Sequence, residues 1–227
     1  MEHTEFISIW KQQNAKIEKT LAINELLLKE VTNNKARTSL RSLIKLKTAG
    51  IIAFILYLLL LSYALVYALS NYSADWNYFI FSISVILLVN VKGFADYVKH
   101  LAWARRINYN GSIMEIQQQL TRLQLSIISH AKSMCIQFPF YTTFYLSSEW
   151  FPQQVGYGYL LFQAVLTGSF TYLSYWLYIN HKPENLGKKW FRNMIAGSGG
   201  RSVMEAMHFY KEMEEFNKEE TASNGIS

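Results

Sequence analysis

The stretch "AGSGGRSVMEAMHF", residues 196–209, gathers the densest set of groups able to do chemistry: three glycines, Arg201, Ser202, Glu205 and His208. Glycines, a serine and a base at the start of a helix are the ingredients of a phosphate cradle, in which backbone amides and a lysine hold the anion. The spacing fails that test. Arg201 stands where the lysine belongs, the glycines do not follow G-x-x-x-x-G-K-[ST], and no apolar strand precedes them. The run reads as a joint between two helices. Ser202 and Glu205 have the S-x-x-E spacing of a capping box. Val203, Ala206, Met207, Tyr210, Met213 and Phe216 then recur every three or four residues, which predicts an amphipathic helix to about Lys218.

Other reactive groups are scattered. Glu205, His208 and Glu212 share a helix face and have the ligand types of a metal site, but a solvated charged face accounts for them equally. The five histidines form no H-E-x-x-H and no triad-like set. The single Cys135 excludes an intramolecular disulfide and a four-thiolate zinc site. The expectation is a non-enzymatic chain with no catalytic residue, no metal and no cofactor.

What positions these groups is a chain rich in apolar segments. Half of its 227 residues are hydrophobic and only 17% are charged, below the quarter expected of a soluble domain. Ala49–Leu69, "AGIIAFILYLLLLSYALVYAL", carries no charge over 21 residues, about 31 Å as a helix and enough to cross a bilayer core. Nearly fifty residues precede it, unlike a cleaved signal peptide. A second run lies between Asp75 and Asp96, with Lys92 near enough to its end to snorkel. A shorter, more polar third run, "SMCIQFPFYTTFYLSS", lies between Lys132 and Glu149, and Tyr157–Asn180 makes a fourth.

Charge placement argues for four spans, at about 49–70, 76–96, 131–148 and 157–180. The outer loops would then hold Asp75 and Glu149 but none of the 22 basic residues. That is the positive-inside bias, and it puts both termini in the cytoplasm of a bacterial inner membrane. The net charge of +6 is thus topological, and no basic cluster with stacking aromatics points to nucleic acid. The expected fold is all-α: residues 1–48 as a cytoplasmic helical segment, 49–180 as a four-helix membrane domain including a cytoplasmic helix at about 112–131, and 181–227 as a cytoplasmic tail.

Two polar stripes run through the membrane part. Ser126, Ser129, Ser133, Gln137 and Tyr141 share a face of the third segment, and Gln163, Thr167, Thr171 and Ser174 share a face of the fourth. The expected seam joins Ser133 and Gln137 to Gln163, Thr167 and Thr171, with Ala164 and Gly168 allowing close approach. A transport conduit is the alternative use of that seam. Pro139 has no amide to offer the carbonyl of Cys135, so the third segment should kink there.

Three cytoplasmic helices carry apolar stripes. Beside the one after Ser202, a second follows Ser112 and Glu115, another capping box, with Ile113, Ile116, Leu120, Leu123 and Ile127 at spacings of 3, 4, 3 and 4. A weaker third has Ile17, Leu21, Leu28 and Val31. These faces either pack on one another or dock a partner. Val203, Met207, Tyr210, Met213 and Phe216, on an acidic helix hung from a glycine joint, are the expected partner-binding residues. The partners expected are the lipid bilayer and a cytosolic protein. The sequence leaves self-association into a homo-oligomer open.

"IWKQQN", "LLLKEVTNNKARTSLRSL", "NYNGSIMEIQQQLTRLQ" and "WFRNMIAGSGGRSVMEAMHFYKEMEEF" together resemble a group of uncharacterised Bacteroidota membrane proteins. The resemblance spans most of the chain, and none of its motifs is catalytic. Such proteins are associated with extracytoplasmic-function sigma factors, so the resemblance implies a regulatory role with a sigma factor as one partner. The outer loops, about ten residues each, leave no room for the exterior sensor domain usual in membrane anti-sigma factors.

Overall fold

The structure, a computed structural model, describes residues 2–224, with side-chain surroundings for residues 7 and 9–215. Every regular element among them is helical, as expected. Six α-helices follow in order: α1 (Glu2–Ser70), α2 (Asn77–Arg105), α3 (Ile113–Met134), α4 (Tyr157–Asn180), α5 (Lys189–Ala196) and α6 (Gly200–Asn224), with short 3₁₀ turns at Ala74–Trp76, Cys135–Thr142 and Pro183–Gly187. Two stretches, Ile9–Ser70 and Ala74–Arg105, are long and apolar enough to cross a membrane. The fourth candidate, α4, has 24 residues and no charge, yet its tyrosines, threonines, serines and Gln163 keep it below that measure.

The first helix is continuous for 69 residues, roughly 100 Å, so the boundary expected at residue 48 falls inside unbroken helix. Nothing in "RSLIKLKTAGIIAF" could stop it: the run has one glycine and no proline. Gly50 has a packing reason, because a Cβ there would run into the ring of Tyr97 on α2.

The chain between Ile113 and Ser148 runs antiparallel to α2 over nearly its whole length. Ser126 meets His100, Gln137 meets Asn90, Thr143 meets Ser82, and the Ser148 amide bonds the carbonyl of Asp75 at 3.4 Å. Helix α4 runs back along the same segment, with Gln163 against Thr142, Ser174 against Cys135 and Tyr178 against Lys132. Most of α4 is nevertheless exposed, and it buries only Gln163, Ser174 and Leu177.

Below the apolar segments, α1, α3 and α6 pack into a helical layer with the end of α2. Ala36, Leu40, Leu43, Ile116, Leu120, Leu123, Ile127, Val203, Ala206, Tyr210 and Met213 form its core. The Tyr210 hydroxyl donates to Asn33 Oδ1 at 2.6 Å, tying α6 to α1. The two expected capping boxes part company. Ser112 accepts from the Glu115 amide, and the Glu115 side chain accepts from the Ser112 amide. Ser202 caps nothing, because α6 already begins at Gly200. Gly199, at φ 91°, turns the chain before Ser202 is reached, and Glu205 is drawn instead to Arg201 and Ser39. The glycine run is a joint, as its spacing predicts.

Candidate functional site

The expected polar seam is divided in two. In the third segment the α-helix gives way at Cys135 to eight residues of 3₁₀ helix. Three residues per turn instead of 3.6 rotates the polar stripe out of register. Gln137 therefore faces α2, where Asn90 Nδ2 donates to its Oε1 at 2.7 Å, and it does not meet Gln163. Gln163 Nε2 donates to the Thr142 carbonyl at 2.6 Å and to Thr167 Oγ1 at 3.0 Å, and its Oε1 accepts from Tyr145. Ser133 and Thr171 bond carbonyls of their own helices, Ser129 and Thr167. The carbonyl of Cys135, for which Pro139 offers no α-helical amide, accepts from Ser174 Oγ at 2.7 Å. Gly168 meets nothing within 4 Å, so the Ala164 and Gly168 pair makes no helix contact.

A second buried polar region was not signalled by any motif. On α1 before the apolar segment the buried positions run Thr32, Ala36, Leu40, Leu43 and Lys47, so the core stripe of the layer ends on a lysine that is fully buried. Its Nζ lies 3.6 Å from the centre of the Tyr97 ring and has no hydrogen-bond partner among the described residues. His100 on α2 is also fully buried, with Nε2 on Ser126 Oγ at 2.9 Å and Nδ1 unpartnered. His130 on α3 closes the group: its ring lies edge-on to that of His100 at 5.9 Å, and its Nδ1 stands 3.5 Å from Asp96 Oδ2 without hydrogen-bond geometry. Asp96 is already held by Lys92 at 2.8 Å and Lys99 at 3.0 Å.

The physical character of this group is a knot of bases kept from protonating. Burial lowers Lys47 from 10.5 to about 7, with the charge of Asp96 pulling the other way. Burial, then the charge of Lys47, lowers His130 to about 4 and His100 to about 3. Both imidazoles are thus neutral near pH 7. Removing charge from a dry site costs less than burying it unpaired. The only sequence signal was the stripe itself, where a lysine takes the place of an apolar residue one turn before Gly50.

Of the expected partner-binding residues, Val203, Tyr210 and Met213 are buried and Met207 packs against the same core. Phe216 lies outside the residues whose side chains are described. This face is taken by α1 and α3 of the same chain. The bare apolar surface lies elsewhere: from Ile9 to Leu27 every residue of α1 except Leu21 is exposed, including Trp10 and Ile17. Trp10, Ile17, Leu21 and Leu28 fall on one face at spacings of 7, 4 and 7. Among the groups expected to be inert, Glu205 is engaged by Arg201 and Ser39, and His208 Nδ1 lies 3.3 Å from Glu212.

Comparison with protein-family models, with curated proteins and with solved structures finds no match.

Proposed function

We propose that this chain is a non-enzymatic, four-span protein of a bacterial inner membrane, with both termini cytoplasmic, which tethers or regulates a cytosolic protein. The antiparallel run of the third segment along α2, and of α4 along the third, supports four spans. If α2 crosses, segments paired with it from end to end cross the same thickness. The interior is then a place where every backbone group needs a partner, and the Ser174 bond to the Cys135 carbonyl meets that need at the proline.

The observation that carries the tether reading is the bare arm of α1. A helix with Trp10 and Ile17 exposed has an apolar face that no described side chain of its own chain buries. The resemblance supplies a sigma factor as one candidate for the protein that docks there. The partners within the bundle of Gln137, Gln163, Thr167 and Ser174 favour a structural joint over a conduit.

The test compares affinity purifications from solubilised membranes using the intact chain and a Trp10→Ser, Ile17→Ser double variant. Both positions are exposed, so the bundle should be unaffected. Loss of a cytosolic protein from the variant alone is the expected result. A second copy of this chain recovered in its place would make the arm a self-association element, and recovery unchanged by the substitutions would sink the arm as the docking surface.

A further inference from the structure

We infer that the groove between α5 and α6 holds the headgroup of an anionic phospholipid of the inner leaflet, an assignment that rests on the four-span reading. The groove has a volume of about 570 Å³. It is made by two facing helical stripes, Lys189, Arg192, Asn193 and Ala196 on α5 and Arg201, Met204, Glu205 and His208 on α6, with Phe209 at one end. Both stripes have the i, i+3, i+4, i+7 spacing of one helix face, and the Gly197–Gly200 turn lets the two helices stand side by side. Its rim is cationic while Met204, Ala196 and Phe209 supply an apolar floor, the combination that accepts a charged headgroup and the first carbons of its chain.

Its position is set by the other face of α5. Phe191 and Ile195 are buried with Ile128 of α3, Trp190 lies 5.1 Å from Trp176 near the end of α4, and Phe191 packs on His181 at 5.3 Å. Helix α5 is therefore pinned where α4 leaves the apolar layer, at the depth of the headgroups.

The charges are also unspent there. Some cations of the layer are engaged: Lys92 and Lys99 are paired with Asp96, Lys211 with Glu215, and Lys35, Arg37, Arg122 and Lys132 lie over aromatic rings. Among the described residues, Lys189 and Arg192 have neither an ion pair nor a ring partner. Arg201 is shared with Glu205, which Ser39 also engages, leaving an excess of positive charge in the groove. A guanidinium beside an ammonium suits a phosphate diester, which the arginine can grip with two donors.

The experiment is native mass spectrometry of the intact, detergent-solubilised chain titrated with phosphatidylglycerol or phosphatidylcholine. Lys189→Gln with Arg192→Gln is compared with Lys11→Gln with Lys16→Gln, which removes two exposed charges from the distant arm. The expected result is phosphatidylglycerol retained over phosphatidylcholine, with roughly tenfold weaker retention in the groove variant alone, two surface cations being removed. Equal retention by both variants overturns the site. Displacement of the lipid by millimolar sn-glycerol 3-phosphate overturns the lipid assignment in favour of a soluble phosphate ligand. Carbonate extraction of membranes is run beside it. A chain that washes off fails the four-span reading and the proposal with it, whereas one that stays while lipid retention is unchanged fails the groove only.

Discussion

Two polar regions lie buried in one helical bundle, and they are satisfied to very different degrees. In the seam around Gln163, amides and hydroxyls meet across the third segment and α4, and the Cys135 carbonyl beside the proline turn accepts from Ser174. In the knot around Lys47, three nitrogens on three helices have no hydrogen-bond partner among the described residues, and burial, with the charge of Lys47, lowers the affinity of both histidines for protons. The seam is built from neutral groups that both donate and accept, so any rotation of a helix finds another bond. The knot is built from bases only, with its one carboxylate claimed by two lysines from the other side. The seam can therefore be made by packing, whereas the knot persists in spite of its own electrostatics and is held by the layer that closes over it.

The sharpest way to break this contrast is Lys47→Met. A methionine fills the same stem without a charge, and a shift from 10.5 to about 7 corresponds to a burial penalty on the order of 3–5 kcal/mol. The variant should be more stable by that order below pH 7, read as resistance to unfolding by tryptophan fluorescence in a mild detergent. Destabilisation instead would mean that the ammonium has an acceptor and the knot is satisfied after all.

Of the same order is the pH dependence. Groups whose affinity for protons is lowered by folding bind more protons when unfolded, so stability rises with pH across the interval between the two values. For His100 and His130 that interval runs from about 3 and about 4 up to 6.5, and acidification through it should remove on the order of 3–5 kcal/mol per histidine. For Lys47 it runs from about 7 to 10.5, so stability should rise again on the alkaline side. His130→Gln should flatten the acid limb and leave the alkaline one. An acid limb identical in His130→Gln and in the parent chain would remove the histidines from the account.

The smallest effect belongs to the seam. Ser174→Ala should cost about 1 kcal/mol, because it removes the hydroxyl bond to the Cys135 carbonyl. The same substitution made together with Pro139→Ala should cost close to nothing, since the new amide can take that carbonyl. A double-mutant cycle without coupling would show that Ser174 and Pro139 act independently. Neither variant should alter the pH profile, which separates the seam from the knot.

How far these regions were legible differs for a physical reason. The seam's residues were visible as polar positions in uncharged runs, and the freed carbonyl followed from the proline. The pairing of Gln137 with Asn90 did not, because the switch to 3₁₀ winding rotates the stripe and leaves no mark in the sequence. Lys47 was hidden in another way. A lysine ending an apolar stripe at the edge of a span is ordinarily read as snorkelling, and only the closure of Tyr97, His100 and His130 over it makes it buried. Amphipathic stripes proved equally silent about their partners: Val203, Tyr210 and Met213 are covered by α1 and α3, while on the weaker stripe Leu28 packs on the same core and Ile17 and Val31 are exposed.

By itself the sequence determined the helical class, the apolar segments, the glycine joint and the cap at Ser112, all of which depend on neighbours within a turn or two along one chain. Hydrophobicity, backbone freedom and local hydrogen bonds act over that range. Tertiary structure alone decided which stripe is covered, where the α1 arm leaves its bundle, which amides meet in the seam and that a lysine and two histidines share a dry space. Those outcomes depend on how helices far apart in sequence stack and rotate, and a stripe carries the need for burial without naming the surface that meets it.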